Sequence, residues 1–190
     1  MNDFVFYFIY GWEHIISPDA IDHLLFITVI TALYSTGSWK KVVILVTAFT
    51  IGHSLTLALS VYDVLRFNSK WVEFLIPVTI IISSVINLAK KENVPLKWHY
   101  ILALGFGLIH GMGFANTIRF MLAQKQEIGW PLFSFNLGLE AGQLLVVLII
   151  LTLNYFLVNK GGLKKKWWVW LLSITAFCIS MYMAITRWPI

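Results

Sequence analysis

His14, Asp22, His23, His53, His110 and Glu140 are the residues of this sequence that could do chemistry, because each falls within or beside a long apolar stretch. An ionisable side chain at the centre of a bilayer costs roughly 2.5–3.5 kcal/mol on insertion scales, so each needs a reason to be there. Imidazoles and carboxylates without a thiolate form a donor set for a divalent transition metal such as nickel, cobalt or zinc. A carboxylate as deep as Glu140 is either protonated or paired with a cation. A ligating imidazole also needs an acceptor on its second nitrogen. Asp19 lies four residues before His23 on the same helix face and could serve it; Asn136 and Gln143 could serve His53 or His110. Glu13, beside His14, completes the supporting polar set. Asn136, Glu140 and Gln143 recur at i, i+4 and i+7, a polar stripe expected to face the interior of a helical bundle.

The elements that must position these groups follow from composition. Of 190 residues, 59% are hydrophobic and only 12% charged, with a mean hydropathy of +0.80. An ordinary soluble domain carries about 25% charged residues. A soluble domain, a disordered chain and a coiled coil are thereby excluded. So is a nucleic-acid partner, because the 14 Lys and Arg lie between apolar blocks rather than on one face. The expected fold is a single all-α integral membrane domain, 1–190, with six spans at about 18–36, 41–61, 71–89, 98–122, 130–158 and 167–187. Residues 1–17 read as an interfacial or re-entrant segment; the competing seven-span reading makes 4–16 a span of its own. Ser17-Pro18-Asp19 is a helix opening, with a capping hydroxyl, a proline suited to the first helical position and an acid at the positive dipole end.

Lys40, Lys41, Lys90, Lys91, Lys97, Lys160 and Lys164 to Lys166 all fall on one side of such a bundle. The positive-inside rule makes that side cytoplasmic and puts both termini outside a bacterial inner membrane. The ionisable groups then gather in the outer half of the bilayer. Ala103, Gly107, Gly111 and Ala115 repeat every four residues, and Gly138 and Gly142 do likewise, offering surfaces for close helix approach. The single cysteine, Cys178, excludes an intrachain disulfide and a thiolate metal site. The N-terminus has no basic region, so a cleaved signal peptide is not expected.

Four motifs carry a family resemblance. Gly11-Trp12-Glu13-His14, followed by Asp22-His23-Leu24-Leu25-Phe26, resembles the opening of HupE/UreJ-type membrane proteins. The stretch from Phe49 to Thr56 around His53, the stretch from Phe106 to Phe114 around His110, and the stretch from Phe135 to Gln143 around Glu140 are similar to the same family. The match lies nearer to a second, less characterised branch. This resemblance implies a secondary permease for nickel or cobalt.

Two further functions compete with a permease. In an intramembrane zinc hydrolase, three imidazoles would hold the metal and Glu140 would be the general base on its water. Haem held by paired histidines is the other, and the neighbouring carboxylates argue against it. The implied partners are the metal ion and the lipid bilayer, and self-association into a homo-oligomer stays open.

Overall fold

A computed structural model describes residues 3–89, 96–122 and 128–190. The helices are α1 (Asp3–Ile16), α2 (Ile21–Ala32), α3 (Trp39–Val61), α4 (Ser69–Leu88), α5 (Leu96–Leu122), α6 (Gly129–Asn154) and α7 (Lys165–Thr186). A wider π-type turn, Tyr155–Lys160, extends α6. Helices α3 to α7 are each long and apolar enough to cross a membrane, and their bounds lie within two residues of the expected ones, once the π turn is counted with α6. Among the described residues the molecule is therefore an all-helical integral membrane protein with five such helices, or six spans if α1 and α2 together form one.

The expected span over 18–36 is not present as one helix. Ser17 caps as read, accepting the Asp19 amide at 3.2 Å with Pro18 in the first position, but what it opens is a short 3-10 turn, Pro18–Ala20. The α-helix that follows has only 12 residues. At about 1.5 Å per residue it covers about 18 Å, short of a hydrocarbon core of about 30 Å. Helix α1 is likewise short, and the two meet at a 57° bend.

Connections of at most seven residues separate α3, α4, α5 and α6. Seven residues reach about 25 Å, so successive spans must alternate in direction. The starts of α3 and α5, with Lys40, Lys41 and Lys97, and the α6–α7 junction, with Lys160 and Lys164 to Lys166, thus share one face, called here the lysine face.

Glycine sets two helix pairings. A Cβ at Gly107 would land on the Phe49 carbonyl, one at Gly52 on the Leu104 carbonyl, and one at Gly111 on Thr56 and His53. Phe49 meets Gly107, and His53 and Thr56 meet Gly111, so α3 and α5 run parallel and nearly in backbone contact, with Ala103 and Ala115 also buried. Helix α1 packs on α6 in the same way. Gly138 faces Phe8 and Trp12, Gly142 faces Ile15, and Gly11 faces Phe135. Small residues in membranes give close van der Waals packing where no hydrophobic force pulls helices together. Gly107→Val should therefore cost about 1–3 kcal/mol or more by overpacking, because the obstacle is backbone. Its thermal unfolding in detergent is expected well below that of wild type, whereas Gly105→Val, open within 4 Å, should unfold near wild type.

Candidate metal centre

Four imidazoles reach the site from four helices. His14 sits in the last turn of α1, His23 in the first turn of α2, His53 in α3 and His110 in α5. The break between α1 and α2 is what brings His14 and His23 together, with ring centroids 4.8 Å apart. His53 lies 6.0 Å from His14 and 5.9 Å from His23; His110 lies 5.2 Å from His23. His14, His23 and His53 each offer one ring nitrogen, and the three nitrogens lie within 4.8 Å of one another. The close α3–α5 seam holds His53 and His110 at this depth, because Gly111 passes directly against His53.

The hydrogen-bond partners fix which nitrogen of two rings is free. His23 Nδ1 lies 2.9 Å from Asp22 Oδ1, so Nδ1–H donates to the carboxylate oxygen and the lone pair falls on Nε2. The Asp22 side chain is only 13% exposed and is itself steadied by Arg187 Nη1 at 3.6 Å from its other oxygen. His110 Nε2 lies 3.1 Å from Thr79 Oγ1. The Thr79 hydroxyl already donates to the Ile76 carbonyl at 2.7 Å, so it accepts from His110 and the lone pair falls on Nδ1. Both freed nitrogens, His23 Nε2 and His110 Nδ1, are buried without a partner, as are His14 Nε2 and both nitrogens of His53.

A buried polar atom without a hydrogen bond costs about 1–3 kcal/mol, and native interiors pair nearly all of them. A bland core histidine is a hydrogen-bonded one. Orphaned nitrogens on four rings, one lone pair from each, instead match what a cation would satisfy, and neutral imidazole suits a divalent transition metal. Asp22 behind His23 is the carboxylate–histidine arrangement that orients a ligand and raises its basicity.

The cluster opens on one side to a cavity of about 610 Å³ lined by His14, His23 and His110. Its mouth is acidic: Glu13, Asp19, Asp22 and Glu73 line it against one cation, Arg187. The chain break at Ser17 to Ala20 also faces this vestibule, which solvates backbone that a bilayer would not tolerate. A concave surface of one sign concentrates counter-ions at its floor.

Not every expected site residue arrives. Glu13 and Asp19 are exposed on the vestibule wall, and Asp22, not Asp19, holds His23. Gln143 is fully buried and accepts from Thr50 Oγ1 at 2.7 Å rather than serving a histidine. Asn136 spends its amide on the Leu132 carbonyl of its own helix. Glu140 accepts from Thr47 Oγ1 at 2.6 Å and lines a separate groove between α3 and α6, with Thr50, Ser54 and Asn136. The stripe therefore splits: Gln143 faces inward, while Asn136 and Glu140 are half-buried beside the exposed Ile51, Leu55 and Phe133. Thr79 was not foreseen, and a lone threonine in an apolar span carries no signal that could have found it. Phe114, 3.9 Å from His14 between ring centroids, was also missed as a wall of the site.

Comparison with known proteins returns one family. The model of a family described as HupE / UreJ protein matches residues 1–188. No curated protein matches, and no solved structure does.

Proposed function

The chain belongs to the HupE/UreJ family, and on that premise we propose that it is a membrane permease for a divalent transition metal of the nickel or cobalt kind. One observation carries the reading: buried, unpartnered nitrogens of His14, His23 and His110 line an acidic vestibule, and those of His53 lie directly behind them in the same cluster. His14, His23 and His53 are the proposed ligands, with His110 Nδ1 or a vestibule water as a further donor. Asp22 and Thr79 act through His23 and His110 as positioning residues. Glu13, Asp19 and Glu73 would gather the cation.

In this reading α1 and α2 form one broken span, with metal bound where the helix is interrupted. Interrupted helices at midplane sites are a recurrent transporter device. The parallel course of α1 and α6 supports it, as does the course of α2 from Arg187 at the end of α7 to Asn87 in the last turn of α4. The lysine face would be cytoplasmic by its charge, so the vestibule and both termini would face outward. The zinc-hydrolase reading lacks its base, because Glu140 and the histidines line different cavities.

The test is elemental analysis and uptake together. Purified protein loaded with nickel should retain about one ion per chain after desalting, a count set by one cluster of three ligand nitrogens. Reconstituted vesicles should accumulate nickel or cobalt presented at the vestibule face. A folded protein that retains neither ion would sink the proposal.

A further inference from the structure

The vestibule opens beside Glu73 and Arg187, at the ends of α4 and α7 away from the lysine face, so a permease needs a second route toward that face. The polar groups of α4 are spaced for one. Thr79, Ser83 and Asn87 recur every four residues on a single helix face, and all three are buried. Thr79 touches His110 at the metal cluster; Ser83 donates to the Thr79 carbonyl at 2.9 Å. Asn87 donates Nδ2 to the Val29 carbonyl at 2.9 Å and to Ser173 Oγ at 3.2 Å, which leaves Oδ1 as its remaining polar atom.

Ser83 and Asn87 open into a small cavity that the vestibule does not share. His99, in the first turn of α5 beside Lys97, lines it, and His99 Nδ1 is buried without a partner. The cavity volume is about 40 Å³. A site needs roughly 10–15 Å³ on this measure to hold one water, so there is room for an ion that keeps a few waters.

Between the cluster and this cavity stands Phe26. It is 1% exposed, its ring lies 5.3 Å from that of His110, and it lines the small cavity from the other side. Phe106 meets it edge-on at 6.0 Å, and Phe49 packs on it at 4.7 Å. The barrier is thus a single aromatic layer. Phe26 and Phe49 border the histidines on one side, and among the described residues no charged side chain lines the cavity on the other.

We infer that metal leaves the histidine cluster past Phe26 and Phe106, along Thr79, Ser83 and Asn87 of α4, to a release site formed by His99 with Ser83 and Asn87. The inference rests on the permease reading. Its chemistry sets a direction: three imidazoles hold a transition metal firmly, whereas one imidazole with neutral oxygen donors holds it weakly. Rotation of Phe26 would connect the two sites without moving a helix.

The test separates the resident site from the route. In reconstituted vesicles supplied with nickel ion alone, His99→Ala should keep the wild-type metal content per chain while initial uptake falls about tenfold. Ser83→Ala, nearly isosteric, should retain metal and slow uptake severalfold, which guards against a misfolded His99 variant. Sidedness is read in a Cys178→Ser background with silver ion, an impermeant thiol-reactive cation small enough for the cavity. Gly162→Cys marks the lysine face, and Ser83→Cys should be labelled from that face and not from the vestibule face. Wild-type uptake in both His99→Ala and Ser83→Ala overturns the route. So does Ser83→Cys labelling from the vestibule face, or from neither face while Gly162→Cys is labelled. A wild-type protein that holds nickel but moves none overturns the permease reading itself, and the route with it.

Discussion

His23→Ala and His53→Ala should each weaken nickel or cobalt binding by more than about 100-fold. Loss of a residue that merely orients a ligand costs about 10–100-fold, and these substitutions remove the ligand nitrogen itself. The expectation is firmest for His53, whose two ring nitrogens are both buried and unpartnered, so the folded chain gives that ring no other occupation. The readout is both the metal retained after desalting and the thermal shift on adding metal. A ligand present at 1,000 times its dissociation constant stabilises the folded form by about 4.1 kcal/mol. Wild type should show that shift and the two variants almost none of it. The variants should still fold without metal, since the glycine seams that join α3 to α5 and α1 to α6 do not depend on these rings. Folded variants with unchanged affinity would mean that the cluster is not the binding site.

How much of this was legible in the chain depends on the kind of signal. Helices α3 to α7 announced themselves, because a continuous apolar run flanked by lysines and tryptophans has one stable solution in a bilayer. The small-residue stripes were equally readable. Gly107 and Gly111 met α3, with Ala103 and Ala115 also buried, and Gly138 with Gly142 met α1. The broken helix was half legible. Ser17 and Pro18 marked the interruption, but α2 looks like the start of a long span until its 12-residue extent is known. What seats α1 along α6 is a tertiary contact, Gly11 on Phe135 and Gly138 on Phe8, that no local pattern encodes. The polar stripe of α6 shows the limit of periodicity. Spacing puts Asn136, Glu140 and Gln143 on one side of a helix, but it does not say which neighbour each will meet. A few tens of degrees of rotation separate Gln143, buried on Thr50, from Glu140, which lines the groove. The histidines were found because burying them is costly, and cost is a property of residue type and depth. Thr79 was not, because it is inexpensive in a membrane helix; Asp22 was found as a candidate, but spacing gave the place behind His23 to Asp19, one turn away, rather than to its neighbour.

The two half-buried carboxylates should behave oppositely. Asp22→Asn is expected to weaken metal binding by about 10–100-fold, the range for loss of a carboxylate behind a ligating histidine. The asparagine carbonyl can still accept from His23 Nδ1, so the ring keeps its tautomer and the loss reports the missing charge. That charge matters twice. It makes the hydrogen bond that orients His23 Nε2 toward the ion a charge-assisted one, and it balances Arg187, 3.6 Å away, which would otherwise repel a cation at the floor of the vestibule. Asp22→Ala removes the acceptor as well and should lie at the weaker end of the range or beyond it. Glu140→Gln, by contrast, should leave nickel affinity within about threefold of wild type. Its carboxylate is held by Thr47 in a groove that shares no lining residue with the vestibule, and an amide oxygen can accept the same bond. Calorimetric titration of the three variants, in buffers of differing ionisation enthalpy, gives affinity and the protons released on binding in one series. Asp22→Asn and Glu140→Gln should therefore separate by at least about threefold and up to about 100-fold, with proton release unchanged in Glu140→Gln. Equal losses in both would place Glu140 in the metal centre after all, and would require α6 to turn its polar stripe toward the histidines when the ion binds.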